Sequence, residues 1–300
     1  MNFALVHIGT NLRDHINDCI RQITITNPSS HIYVLTNTSE ISKVHRGDNV
    51  TVVALEALPI SMKHDIFRKH YHSHHTGVLW KYSTERFFYL ETFMTMYRIT
   101  DLCHMEYDNM IYIDTGRYKP IFQNHFKNKL GCTFDADHRG IAGFLFISSP
   151  QPLTVFTNFI VDTRPMNRTD MDYLALFREA YPDFITALPI VPSNYAHPLV
   201  SDMGHVPKDP DMFKRHFAEF QCIFDAAAIG QYLGGIDPIH NKPDSIGFIN
   251  ETCVFQCSKM TFSWEMAENG LRFPFVICGD SMVPIANLHI HCKNLRAFRS

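Results

Sequence analysis

The stretch FALVHIGTNLRDHINDCIRQITITNPSSHIYVLTN, residues 3–37, passes from a β-rich run to a helical one and back again. FALVHI (3–8) is short and apolar, and it stops at Gly9-Thr10-Asn11. Leu12, Ile16, Ile20 and Ile23 then recur at the spacing of one helix face. The turn residues Asn27-Pro28-Ser29-Ser30 break that pattern, and HIYVLTN (31–37) resumes an extended one. A strand, a helix and a strand at these lengths form a βαβ unit, whose crossover makes the two strands parallel. The expected fold class is therefore α/β, a Rossmann-type mixed sheet flanked by helices. The lone glycine after the first strand is not a GxGxxG fingerprint, which disfavours a dinucleotide cofactor.

Outward from this unit, TVVAL (51–55) reads as a third strand. KHDIFRKHYHSHHTG (63–77) reads as polar and irregular. A helix capped by Ser83 or Thr84 is expected to run to about Ile99. It delivers the chain to a strand at 102–105, with a second strand, MIYI, at 110–113 and a loop beyond it. AGFLFIS (142–148) is a further strand, followed by helices near 152–162 and 170–181 and a strand near 187–191. IFDAAAIGQYLGG (223–235) reads as a helix ended by Gly234-Gly235. The tail IANLHIHCK (285–293) closes as a strand. There is no repeat, low-complexity tract or clean linker, so one domain spanning 1–300 is expected.

Of the 300 residues 45% are hydrophobic and 19% charged, which fits a globular chain with a sizeable core. The net charge of −3 and the lack of a Lys/Arg block argue against a nucleic-acid surface. No apolar run reaches the ~20 residues of a membrane span. The opening MNFALVHIGT lacks the layout of a signal peptide, so a cytoplasmic protein is expected. Eight scattered cysteines without a CxxC pair read as reduced thiols.

HMEYDNMIYID (104–114) places Glu106 and Asp108 one residue apart between two strand-like runs. On an extended backbone such a pair points to one side. Hard oxygen ligands so arranged suit Mg²⁺ or Mn²⁺, which neutralises charge as a diphosphate leaves. The plain alternative is a solvated strand edge. Near the other end, His289 and His291 alternate along a strand, and a neutral imidazole is a competent ligand for Mn²⁺. Either could instead be a hydrogen-bonded core histidine. Arg86 sits on a helix whose other face is apolar, so it needs a carboxylate or phosphate partner.

The acids downstream of a βαβ unit, together with TERFFYLETFM (84–94), AGFLFIS, TDM (169–171), FDAAAIGQYLGGIDP (224–238) and NLHIHCK (287–293), resemble the nucleotide-sugar-dependent glycosyltransferases of GT-A fold. Their DxD-type motif appears here as Glu106-Tyr107-Asp108. The resemblance covers nearly the whole chain. It implies a nucleotide-binding half of about 1–115 and an acceptor-side half of about 116–300.

It also implies roles. Asp108 would ligate the cation, and Glu106 would contact the ribose or the metal through water. His289 or His291 would complete the metal shell, and Lys293 would reach a diphosphate. Gly9, Thr10 and Asn11 would seat the base and ribose, and Arg86 would support the nucleotide-sugar site. For catalysis two arrangements stand open: Asp170 at a helix start as the general base of an inverting enzyme, or Asp225 and Gln231 against the donor sugar as in retaining ones. His70, His72, His74 and His75 read as a polar loop over a cleft rather than a zinc site.

The function so implied is divalent-metal-dependent transfer of a sugar from a UDP- or GDP-type donor to a hydroxyl of a glycan or glycoconjugate. A metal-dependent phosphohydrolase and an inactive sugar- or nucleotide-binding protein are the alternatives.

Overall fold

The computed structural model of the chain describes residues 1–72, 78–237 and 245–300. Its first three elements are β1 (Asn2–Val6), α1 (His15–Thr26) and β2 (Ile32–Thr36). β1 and β2 pair in parallel, Phe3 opposite Ile32 and Val6 opposite Leu35. Ile16, Cys19, Ile20 and Ile23 form the buried face of α1. β3 (Val50–Ala54) continues the parallel series beyond β2.

After α2 (Met62–His70) and α3 (Leu79–Tyr97), the chain returns as β4 (Leu102–Met105) on the other side of β1. Then come β5 (Asn109–Ile111), α4 (Thr115–His125), β6 (Leu130–Ala136), β7 (Arg139–Ile147), α5 (Pro150–Asp162), α6 (Asp170–Ala180) and β8 (Ile185–Ala187). α7 (Phe217–Phe220), α8 (Ile229–Gly234), β9 (Thr261–Met266), β10 (Arg272–Cys278), β11 (Ser281–Pro284) and β12 (Asn287–His289) complete the chain.

The main sheet has the order β3-β2-β1-β4-β7-β6-β8, and β7 alone runs against its neighbours. It is the expected α/β mixed sheet. The strand order reverses between β1 and β4. In an open sheet of this kind the crevice outside the carboxyl ends of two such strands is the natural ligand position. Phe3, Leu5, Phe87, Phe93, Phe144, Phe146 and Phe156 are fully buried in one contiguous apolar cluster. Each contributes on the order of 1.5–3 kcal/mol relative to exposure.

Several expectations need correction. The segment read as irregular contains most of α2: the Ser61 hydroxyl accepts from the His64 amide at 3.3 Å, and His64 and Phe67 are buried, while Lys63, Asp65, Arg68 and Lys69 make the run look like a polar loop. His70 ends this helix and His72 follows it, whereas His74 and His75 lie outside the described residues. α3 starts at Leu79, so Ser83 and Thr84 are not caps. Both hydroxyls bond back to the Trp80 carbonyl, at 3.2 and 2.9 Å.

The loop expected after 113 holds α4, obscured by Pro120 in its interior, and the wholly buried β6. Asp114 is the N-cap of α4, accepting from the Gly116 amide at 2.9 Å. β8 closes at Ala187, where the predicted strand was to begin, and β9–β11 form a three-stranded antiparallel sheet that alternation did not reveal.

The helix expected over 223–235 shrinks to α8. Ile223 bridges Ile285 in extended conformation and Ala227 has φ +54°, which no helix continues through. Pro238, the last residue of the motif quoted there, lies outside the described residues. All eight cysteines are free. No helix among the described residues is long and apolar enough to cross a membrane.

Candidate active site

A cleft of about 1110 Å³ opens where the strand order reverses. Its floor comes from the ends of β1 and β4, its walls from α3, α6, α8 and the residues after β12. Gly9, Thr10, Asn11, Arg86, Glu106, Asp108, Asp170, Gln231, His289, His291 and Lys293 all line it. Gly9 sits at φ +117°, which a side chain would strain, and its amide donates to Asn37 Oδ1 at 2.7 Å. That bend carries Thr10 and Asn11 out of β1 and over the cleft.

The two acids occupy a turn rather than the extended backbone their spacing suggested. The Glu106 amide donates to the Gly143 carbonyl and the Asn109 amide to the Glu106 carbonyl, at 3.1 and 3.0 Å. β5 then pairs with β12, placing His289 opposite Asn109. One ligand atom each from Glu106, Asp108 and His289 lie within 4.8 Å of one another. His289 Nε2 is 3.4 Å from Glu106 and 3.3 Å from Asp108, while its Nδ1 is buried without a partner. Two carboxylates and an imidazole aimed at one point are a donor set that fits Mn²⁺ or Mg²⁺. Lys293 Nζ also donates to Asp108 Oδ2. His291 is not part of the triad. Its Nδ1 instead accepts from the Asp237 amide at 3.0 Å.

Burial opposes the charge on Asp108, but Lys293 and His289 outweigh it and hold that carboxyl well below its usual range. Burial likewise disfavours the protonated, charged form of His289, yet the Asp108 carboxylate beside it raises its pKa to about 9. At neutral pH the metal-free imidazole is thus protonated, and a cation must displace that proton. Metal affinity is expected to rise with pH, about tenfold per unit, and to level off near pH 9. Calorimetric titration with Mn²⁺ at stepped pH checks this. A flat profile from pH 6.5 to 9 would exclude His289 as ligand.

Arg86, almost fully buried on α3, joins the acids to α6. Nη1 donates to Glu106 and Nη2 to Asp170 Oδ2 at 2.6 Å. Thr169 caps α6 in a capping box with Asp172. Asp170 is the first helical residue and faces the cleft, with Ser83 Oγ 3.3 Å from its Oδ1. Its pKa is raised because burial outweighs the pull of Arg86. Arg86→Ala would leave two carboxylates without their cation, and is expected to cost about 3–5 kcal/mol. Arg86→Lys cannot span both acids and should recover only part of this, measured by urea unfolding.

Asp225 is not in the cleft, which corrects its reading as a sugar contact on a helix. It is fully buried, and its carboxylate accepts from the amides of Ala228, Ile229 and Gly230, each at 2.8 Å, and of His289 at 2.9 Å. Those four bonds use its acceptor sites. Asp225 therefore acts on the cleft indirectly: it ties the start of α8 to the backbone of His289.

Sequence reasoning missed His7, Arg13, His15, Tyr107 and Arg139, which also line the cleft. Tyr107, the central residue of the acid motif, bonds through its hydroxyl to His7 Nδ1 at 3.1 Å and stacks on His15 with ring centroids 5.1 Å apart. His7 directly follows β1, so the strand-order rule is the signal that points to it. Arg139, at the start of β7, lies 3.6 Å from the buried Asp135.

No family model matches the chain, and no curated protein matches it in sequence. Among solved structures it is similar to the apo form of mouse xyloside xylosyltransferase 1, at 10% identity over 63% of this chain and 86% of that one, with a TM-score of 0.43. It is similar to an active-site mutant of LgtC at 13% identity over 72% and 82%, with a TM-score of 0.46. The PaToxG glycosyltransferase is a third, at 12% identity over 60% and 68%, with a TM-score of 0.41.

Proposed function

We propose that the chain is a GT-A-like glycosyltransferase acting as one unit. It moves a sugar from a UDP- or GDP-type donor to a hydroxyl of a glycan or glycoconjugate, with a divalent cation in the cleft. The observation that carries this reading is the convergence of Glu106, Asp108 and His289 at the strand-order reversal, beside Lys293 and Arg86.

Glu106, Asp108 and His289 would hold Mn²⁺ or Mg²⁺. Once bound, the cation would neutralise charge on the departing diphosphate. The chain supplies the rest. Lys293, freed from Asp108, donates to diphosphate oxygens. The loop at Gly9, Thr10 and Asn11 and the stacked pair His15 and Tyr107 receive the base and ribose. Arg86 fixes Glu106 and Asp170 at once, so the cation site and the α6 wall keep one geometry. Asp170, with its raised pKa, accepts the proton of the attacking hydroxyl or a bond from the donor sugar. Gln231, on α8, faces the same space.

A screen of nucleotide sugars for slow, Mn²⁺-dependent hydrolysis tests the reading, because donors turn over in water without the acceptor. Release of UDP or GDP from one sugar class, lost in Asp108→Asn, is the expected result. Cleavage of generic phosphate esters with no turnover of any nucleotide sugar would overturn it in favour of a phosphohydrolase.

A further inference from the structure

Away from the cleft, His125, His216 and Glu219 form a second convergent group, each offering one ligand atom within 4.8 Å of the others. None of the three lines the cleft. We propose that this group is a zinc site that fastens the end of α4 to the start of α7.

The local structure is arranged around it. His125 closes the last turn of α4, and His216 is the residue before α7. His216 adopts φ +64°, a left-handed conformation in which His, like Asn and Asp, is enriched among non-glycine residues. That backbone bend places the His216 ring 4.9 Å, centroid to centroid, from that of His125. Phe126 also packs on this ring, with centroids 5.2 Å apart.

Both imidazoles are half-buried and Glu219 is exposed. Among the described residues no ion pair within 4.0 Å joins Glu219 to either imidazole, although its charge acts on His216. An ordinary histidine–carboxylate bond therefore does not explain the cluster. Two imidazoles and one carboxylate, with a fourth position open to water, are a recurrent ligand set for Zn²⁺ at about 2.0–2.2 Å. Lys129 and Arg215 lie nearby and oppose a cation, but Arg215 is turned to Asp209 at 2.9 Å.

The clamp has a defined target. Behind α7, Phe220 packs on Phe122 and Phe126 of the α4 region, and the chain then runs through Ile223 to Asp225. Fixing α7 to α4 would anchor the segment that ends at the Asp225 tie to His289.

Zinc titration of the untagged full chain by calorimetry, repeated on His125→Ala and His216→Asn, tests the site. Asn accepts the left-handed backbone, so loss of zinc in that variant cannot be put down to misfolding. Circular dichroism checks the fold of both. One zinc fewer per chain in each variant, with Mn²⁺ binding in the cleft unchanged, is expected. Glu219→Gln should weaken the same site by about tenfold or more. Equal zinc stoichiometry and affinity in the parent chain and both histidine variants would overturn the proposal.

Discussion

Asp108→Ala is expected to lower the proposed sugar-transfer activity by on the order of a thousandfold, the scale on which loss of a group stabilising transition-state charge is felt. Its carboxylate forms ion pairs with both His289 and Lys293. Removing it opens the triad, leaves Lys293 without its carboxylate partner and takes away the charge that keeps the buried His289 protonated. Asp108→Asn keeps the volume and removes the charge, which separates electrostatics from packing. Mn²⁺ affinity should fall in both variants, and circular dichroism should show a folded chain in the Asn variant. Activity in Asp108→Asn within a few-fold of the parent would mean that the acid does not hold a cation during transfer.

Gly230→Ala should be nearly as damaging, although residue 230 lies outside the lining of the cleft. A Cβ there would stand 2.6 Å from the backbone carbon of His289 and 2.9 Å from its nitrogen, and closer still to its oxygen. Backbone cannot swing aside as a side-chain tip does, so α8 or β12 must move. The Gly230 amide also bonds to Asp225, which holds the His289 amide as well. An overpacked core site costs about 1–3 kcal/mol, occasionally more. The substitution is therefore expected to lower Tm by several degrees and to weaken Mn²⁺ binding at least tenfold through displacement of His289. A variant with parental Tm and parental Mn²⁺ affinity would show that this close approach does not seat the histidine.

Much of this was legible in the sequence for a physical reason. The βαβ unit announces itself because α1 buries one face, so Ile16, Ile20 and Ile23 must recur at helical spacing. Glu106, Asp108 and His289 stand out because carboxylates and imidazoles beside buried strands need partners. The illegible parts have equally specific causes. α2 is short and polar on its outer face, so a single Ser61 cap and two inward side chains, His64 and Phe67, were its only marks.

β6 is buried along its whole length and carries no alternation to read. The run of alanines at 226–228 mimics helix propensity, yet Asp225 captures the amides that a longer helix would have paired internally. Propensity lost there to one buried carboxylate. Arg86 was recognised as needing an acid, but that it needs two, Glu106 and Asp170, depends on how α3 and α6 pack around β7. No local pattern encodes that.

Calorimetric binding of UDP and GDP, with and without Mn²⁺, to the parent chain and to Asp108→Ala bears most directly on the assignment of the cleft. The expected result is tight binding of one of the two nucleotides only when Mn²⁺ is present, lost in Asp108→Ala. Folded parent protein that binds neither nucleotide in a metal-dependent way would contradict it.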